Sequence, residues 1–170
     1  MRQGEKRNAE IDLRDLTYDG VVKDGYLSGG LGQLVDGEEG QSNFRLDRRA
    51  LGIKGYEWIG WRNDSFSGGY VEILFRFNAV RNFTSMRIHC NNMFGKEVRV
   101  FRLARIEFSE ANRFDGSRIV EYQYMRDMLI EYARPVVIPL YAGHIARYIR
   151  LQLHFDSRWM MISEVEFESG

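Results

Sequence analysis

Alternating apolar and polar positions are the strongest pattern in this 170-residue chain. The alternation is cleanest in residues 147–155, where Ile149, Leu151 and Leu153 share one face with Phe155. A period of two residues is typical of β-strands that bury one face. The same pattern predicts strands in three other runs, residues 70–77, 85–91 and 161–167. Shorter extended runs predict three more, residues 98–103, 119–124 and 136–140.

Two segments need a separate interpretation. In residues 161–167 the alternation places Met161, Ser163 and Val165 on the same face as Phe167. In residues 122–133 the apolar spacing fits a short helix about as well as a strand followed by a loop. Either outcome leaves seven or eight strands separated by turns rich in Gly, Asn, Asp and Ser. The pattern therefore predicts one all-β domain, a sandwich or a barrel.

Charge and composition exclude several classes of protein. The chain has 24 basic and 24 acidic residues, so we expect neither nucleic-acid binding nor attraction to an anionic membrane. No apolar run approaches the roughly 20 residues of a membrane span. The only cysteine, Cys90, alternates with core positions, which predicts a buried and inert thiol. A single cysteine favours a reducing compartment, whereas the glycosylation sequons at Asn63 and Asn82 favour secretion, so composition leaves the compartment open.

No catalytic constellation is visible in the sequence. The three histidines lack the spacing of zinc ligands, and the glycines of residues 29–37 do not form a nucleotide-binding fingerprint. His89 and His154 alternate with core positions of predicted strands, where a solvent-facing or hydrogen-bonded histidine is expected. We therefore expect that this chain is not an enzyme.

The glycine-rich run 29–37, GGLGQLVDG, is the strongest candidate for binding chemistry. Four glycines in nine residues predict a tight loop rather than a helix or a long strand. Its carbonyls, with the side-chain oxygens of Gln33 and Asp36, are the kind of ligands that calcium collects. The alternative is a plain glycine-rich turn in front of an acidic surface loop.

Tryptophans stand next to predicted turns. Trp61 precedes a polar turn, and we expect it to close one end of the core. Trp58 and Trp159 fit two roles equally well, a binding surface at loop tips or a plug in the core.

Several unusual blocks together resemble a known family. The blocks DLTYDG (15–20), GGLGQLVDG (29–37), GYEWIGWRN (55–63), HCNNMF (89–94) and WMMISEVEF (159–167) look like the second ectodomain module of the discoidin domain receptors. These are collagen-activated receptor tyrosine kinases, and this module is their discoidin-like domain. The resemblance covers residues 12–170 as the domain and leaves residues 1–11 as a polar lead-in or linker.

The resemblance implies an eight-stranded, jelly-roll-like barrel or sandwich of the discoidin (coagulation-factor C-type) kind, with structural Ca2+. It also implies that the first long loop, a Gly-Tyr loop and the C-terminal strand share the cation. The implied ligands are Gln33, Asp36, Glu38, Tyr56, Trp58, Ser163 and Glu164. For Glu38, Tyr56 and Trp58 the ligand is a main-chain oxygen.

The resemblance further implies a module on the extracellular face of the plasma membrane, with no membrane insertion of its own, in a receptor that can dimerise. It would pack against the N-terminal discoidin domain of the same receptor, which contacts collagen. Two departures stand out: the half-cystines of the family fall on Ile106 and Leu151, and one family sequon is missing while another matches Asn63. The rival interpretation is a free-standing discoidin-type lectin that holds a sugar on Trp58 and Trp159.

Overall fold

The structure, a computed structural model, describes residues 21–23, 26–28, 34–35, 37–47, 50, 52 and 54–170. Two 3-10 turns, Asn63–Ser65 and Phe94–Lys96, accompany eight strands in the described residues. The strands are β1 (Val21–Lys23), β2 (Tyr26–Ser28), β3 (Ile59–Arg62), β4 (Tyr70–Cys90), β5 (Leu103–Ser109), β6 (Ile119–Gln123), β7 (Arg134–His154) and β8 (Trp159–Ser169).

Two long strands, β4 and β7, form the centre of the sheet, with 21 residues each. They pair antiparallel from one end to the other, with two interruptions, and the sheet runs in the order β1-β2-β4-β7-β5-β6. Strand β8 pairs with β3 and with the second half of β4. All of these pairings are antiparallel except that of β2 with β4. The prediction of an eight-stranded, all-β fold is confirmed.

The predicted alternation locates the core correctly in the long strands. Val71, Ile73 and Phe75 of β4 face the core together with Ile149 and Leu151 of β7, all of them buried. Branched and aromatic side chains suit this pleated surface because they pack against cross-strand neighbours.

Residues 70–77 and 85–91, predicted as two strands, lie in one strand, β4, except for Asn91, which follows its end. The pairing of β4 with β7 shifts register between Arg76 and Arg81 and again between Phe83 and Ser85. These irregularities break the alternation of side chains without ending the ladder, which is how a β-bulge bends a strand. The predicted runs 136–140 and 147–155 likewise join in β7.

Residues 98–103 do not form the predicted strand. Only Val98 makes an isolated bridge, to Trp159, and β5 begins at Leu103. Val100 and Phe101 are nevertheless buried, so the run is apolar because it fills the core and not because it is extended in a sheet. In residues 122–133 the strand-plus-loop interpretation is the correct one, since β6 ends at Gln123 and no helix follows.

Strand β8 departs from simple alternation at Ser163. His89 of β4 pairs with Glu164, whereas the next residue, Cys90, pairs with Ile162, so Ser163 is the extra residue of a β-bulge. Met160 and Ile162 face the main core before the bulge, and Val165 faces it afterwards. The predicted shared face of Met161, Ser163, Val165 and Phe167 is therefore wrong, because the bulge exchanges the two faces of the strand.

No helix among the described residues is long and apolar enough to cross a membrane. The proposed boundary between residues 1–11 and the domain lies outside the described residues.

Candidate metal centre

The bulge of β8 holds the loop of residues 37–42 through two side chains. The backbone N–H of Gly40 donates to Oγ of Ser163 at 2.9 Å, and the N–H of Gly37 donates to Oε2 of Glu164 at 3.1 Å. Ser163 is fully buried and Glu164 is only 4% exposed. More than 120 residues separate the partners along the chain, so the contacts join two distant parts of the sequence.

The C-terminal end of β4 and the residue that follows it, Asn91, also hold this loop. A ring nitrogen of His89, Nε2, lies 3.0 Å from the carbonyl oxygen of Gly40. The side-chain amide of Asn91 donates to the carbonyl oxygen of Ser42 at 3.0 Å. The expectation of a hydrogen-bonded His89 is confirmed, although its side chain is buried and not solvent-facing.

Trp58 covers the loop. Its indole N–H donates to the carbonyl oxygen of Gln41 at 3.1 Å, and its ring stacks on His89 with centroids 5.6 Å apart. The ring passes so close to Gly40 that a methyl group there would lie 2.2 Å from Cε2 of the indole. Trp58 is therefore a buried packing residue, 2% exposed.

This burial overturns the role of Trp58 in the lectin interpretation, since a buried ring offers no face to a sugar. Trp159 is half-buried and packs against the small cluster that contains Trp58, Val98 and Met161. Trp61 is fully buried, which confirms its predicted place in the core.

The structure describes only some of the predicted calcium ligands, and it places some of these close together. Ser163 and Glu164 contact the 37–40 segment, next to the exposed Glu38. Tyr56 lies in a tight turn. The turn is closed by the backbone N–H of Trp58, which donates to the carbonyl oxygen of Gly55 at 3.0 Å. Gln33 and Asp36 lie outside the described residues.

The donor set has the chemistry of a hard-cation site. It consists of oxygens alone, from a hydroxyl, carboxylates, an amide and main-chain carbonyls, as calcium prefers. Within the part of the chain that is described, no group of three or more His, Cys, Asp or Glu could hold a metal ion. Calcium sites can also consist largely of carbonyl, amide and hydroxyl oxygens, and Ser163, Glu164 and the carbonyl oxygens of this loop are donors of that kind.

The sequence alone did not assign to the site three residues whose contacts fix this loop, namely Gly40, His89 and Asn91. Gly40 follows the glycine-rich run, and the other two belong to the block HCNNMF. Their roles depend on backbone groups of a loop almost 50 residues away, which no local pattern encodes.

Comparison with known proteins identifies the family. The family model of the DS-like domain of discoidin domain-containing receptors 1 and 2 matches residues 1–169. The chain belongs to this family. Because the match occupies almost every residue, the chain is a discoidin-like module and does not contain the kinase domain of such receptors.

Relatives in mammals and nematodes are identical to this DS-like domain at about a third of the aligned positions. Epithelial discoidin domain-containing receptor 1 of Rattus norvegicus is 36% identical over 161 residues, which is 94% of this chain. Discoidin domain-containing receptor tyrosine kinase B of Caenorhabditis elegans is 34% identical over 163 residues, again 94% of the chain. The chain spans only 18% and 19% of the lengths of these two relatives.

A solved structure supports the fold alone. The F5/8 type C domain of a Bacteroides fragilis protein superposes with a TM-score of 0.51 at 10% identity. The superposition covers 81% of this chain and 79% of that domain.

One departure of the DS-like domain from its family lies within the described residues, at the place of the family disulfide. Ile106 of β5 lies directly opposite Leu151 of β7, and both are fully buried. An apolar pair thus occupies the place that the resemblance assigns to the family disulfide. Cys90 is buried as predicted, and burial raises the pKa of its thiol far above the ordinary value.

The two sequons differ in their surroundings. Asn63 opens an exposed 3-10 turn, Asn63–Ser65. Asn82 is exposed on β4, although the next residue, Phe83, is fully buried. Both asparagines are accessible, and whether either carries a glycan stays a prediction.

Proposed function

We propose that this chain is a non-catalytic, calcium-stabilised module in the extracellular part of a collagen-activated receptor tyrosine kinase. In this proposal it lies at the extracellular face of the plasma membrane and packs against the N-terminal discoidin domain. Collagen is then a ligand of the whole receptor, bound through that neighbouring domain. Membership of the DS-like family supports the receptor context.

One observation carries the calcium part of the proposal. Gly37, the last residue of the glycine-rich run, contacts Glu164, and Gly40, three residues further on, contacts Ser163. Asp36 directly precedes Gly37 in the sequence, and in this proposal its carboxylate binds the same cation as the buried carboxylate of Glu164. Two carboxylates in one place repel each other unless a positive charge lies between them.

A cation at this position would explain why such distant segments meet around oxygen atoms. Burial of an ionised carboxylate is costly unless hydrogen bonds or opposite charge compensate it. The N–H of Gly37 supplies one hydrogen bond to Glu164. A calcium ion shared with Asp36, Gln33 and the carbonyl oxygens would add charge and link the C-terminal strand to the first long loop.

The test is thermal unfolding of the chain in excess EDTA and across a calcium titration. A ligand that binds only the folded state stabilises it by about 2.7 kcal/mol at one hundred times its dissociation constant. For a domain of this size that corresponds to a rise of roughly 5–10 °C in the midpoint. We expect Asp36→Ala and Glu164→Ala to abolish the rise.

Glu166→Ala is the matched control, because Glu166 lies two residues further along β8 but is exposed and pairs with Arg87. This variant should keep the full response to calcium. Identical unfolding curves in EDTA and in calcium would contradict the calcium site while leaving the family assignment intact. The partner proposal is tested separately, by mixing the chain with the N-terminal discoidin domain of a relative and measuring association by calorimetry.

A further inference from the structure

Strand β6 forms one edge of the sheet. It pairs with β5 on one side, and among the described residues no strand pairs with its other side. Its five residues, Ile119–Gln123, are an ordinary strand length, and its ladder with β5 runs without a change of register. The edge of such a strand presents a row of backbone N–H and C=O groups that can pair with another extended chain.

The hydrogen bonds at the two ends of this ladder show which backbone groups point outward. The N–H of Phe108 donates to the carbonyl oxygen of Arg118 at 3.0 Å. At the other end, the N–H of Tyr124 donates to the carbonyl oxygen of Arg102 at 3.1 Å. In an antiparallel ladder, residues that bond to the partner strand alternate with residues whose backbone groups face the opposite side. The outward-facing residues of β6 are therefore Ile119, Glu121 and Gln123.

The edge of β6 has little protection against pairing. Natural edge strands often carry a lysine, a proline or a β-bulge that discourages the addition of another strand. Residues 119–123, IVEYQ, contain neither lysine nor proline, and Glu121 is their one charged side chain. By contrast, β3, which pairs with β8, is buried at Ile59 and Trp61. In β6, Glu121 and Gln123 are exposed and the other three residues are half-buried, so this edge is accessible.

The two faces of β6 define the side chains that an added strand would need. On one face, Val120 and Tyr122 pack against the main core but stay partly exposed, so apolar side chains beside them would extend the core. On the other face, the side chain of Glu121 is 60% exposed, and Nε of Arg105 lies 3.8 Å from its carboxylate. A basic side chain directly opposite Glu121 would be attracted to it.

The same carboxylate argues against a second copy of this chain as the occupant. Glu121 is the middle residue of β6. Two copies of β6 that pair antiparallel about a two-fold axis through their centres would place Glu121 opposite Glu121. Like charges directly opposite each other destabilise a pair of strands, whereas a partner with a basic residue at its centre avoids this repulsion.

We infer that the outer edge of β6 is a docking site for an extended peptide segment of another protein, which adds to the sheet as an antiparallel strand. The central residue of this segment is basic and lies opposite Glu121. The residues on either side of it are apolar and lie beside Val120 and Tyr122. Ile119, Glu121 and Gln123 each exchange backbone hydrogen bonds with the added strand. The docking site is independent of the proposed calcium site.

Hydrogen exchange of the isotope-labelled chain, followed residue by residue by NMR, tests the inference. The probe is a short synthetic peptide with lysine at its centre, a valine on each side of the lysine and threonine at the other positions. At about ten times the dissociation constant, exchange of the N–H groups of Ile119, Glu121 and Gln123 should slow by about tenfold. The N–H groups of Val120 and Tyr122 already face β5, so their exchange should change little.

Two N-methylated forms of the peptide test the antiparallel pairing. A methyl group on the lysine nitrogen removes the N–H that faces Glu121, and it should weaken binding by about tenfold or more, measured by calorimetry. A methyl group on a flanking valine nitrogen is the matched control. The N–H of that valine points away from β6, so this peptide should bind almost as well as the unmodified one.

A charge reversal tests the choice of partner. Glu121→Lys should weaken binding of the lysine peptide by about three- to tenfold and favour the same peptide with glutamate at its centre. Glu166→Lys makes the same change at an exposed position of β8, and this variant should bind like the natural chain. Unchanged exchange at Ile119, Glu121 and Gln123 in excess peptide would overturn the inference, as would equal binding of the two N-methylated peptides. Protection of these N–H groups by concentrating the chain alone would assign the edge to a second copy and would also overturn it.

Discussion

At the scale of single residues, the close approach of Gly40 to Trp58 makes a sharp prediction. A methyl group on Gly40 would collide with Cε2, Nε1 and Cζ2 of the indole, at 2.2–2.6 Å. Trp58 cannot move aside freely, because its indole N–H donates to the carbonyl oxygen of Gln41 and its ring stacks on His89. We expect Gly40→Ala to lower the free energy of unfolding by about 1–3 kcal/mol, measured by urea denaturation.

The collision itself can be isolated with a double-mutant cycle. Trp58→Phe removes the indole atoms that the new methyl group would meet, although it is destabilising on its own. Gly40→Ala should therefore cost less in the Trp58→Phe background than in the natural chain. Equal costs in both backgrounds would mean that the requirement for glycine comes from the backbone and not from the ring.

At the scale of elements, the pairing of β5 with β7 predicts a position for a disulfide. Ile106 and Leu151 are opposite each other and fully buried. Each single substitution by cysteine should destabilise the core by about 1–4 kcal/mol, because side-chain volume is lost. In Ile106→Cys/Leu151→Cys, oxidation should close the bridge and restore about 2–4 kcal/mol.

Mass spectrometry without reductant and urea denaturation with and without reductant measure these effects. The matched control is Ala104→Cys/Leu151→Cys, since Ala104 pairs with Leu153 and is diagonal to Leu151. Diagonal positions lie about 7–8 Å apart across a sheet, which is too far for an unstrained bridge. Equal bridging in both double variants would contradict the register of β5 on β7.

At the scale of the whole molecule, two histidines make stability depend on pH. Burial, and then the charge of Arg118, lowers the pKa of His144 below its ordinary value of 6.5. Burial, followed by Arg102 and Arg105, lowers the pKa of His154 in the same way. The unfolded chain therefore takes up protons first as pH falls, so stability is fully present above pH 6.5 and decreases below it.

The midpoint of thermal unfolding should fall between about pH 7.5 and pH 5.5, and His144→Gln/His154→Gln should reduce the slope. Asp127 does not contribute in this window. Its pKa is lowered from 3.8, chiefly by the hydrogen bond from Arg134, so its stabilising effect is lost only below that pH. An unchanged slope in the double variant would assign the pH dependence to other groups.

Much of the fold could be predicted because burial of one face leaves a local period of two. This period is visible at Val71, Ile73 and Phe75 and again at Ile149 and Leu151. The prediction failed where apolar residues are buried without a ladder, as at Val100 and Phe101, since hydrophobicity alone does not distinguish a strand from an irregular segment. It also failed at Ser163, because a bulge is decided by pairing with β4.

The candidate site was only partly predictable. The resemblance named Ser163 and Glu164 together with the glycine-rich loop. The structure places Glu164 beside the last residue of that loop, Gly37, and Ser163 beside Gly40. His89, Asn91 and Gly40 were missed, because hydrogen bonds to backbone atoms of a distant loop leave no periodic or compositional signal.

By itself, the sequence determined the all-β class, the core faces of the long strands and the receptor family, because these depend on local periodicity and on unusual blocks of residues. Only the tertiary structure decided that Trp58 is buried, that Ile106 faces Leu151 and that Met125 and Leu129 are exposed. The physical reason is that burial and pairing depend on which distant segments close over a residue. An apolar side chain has the same local sequence whether a neighbouring element covers it or not.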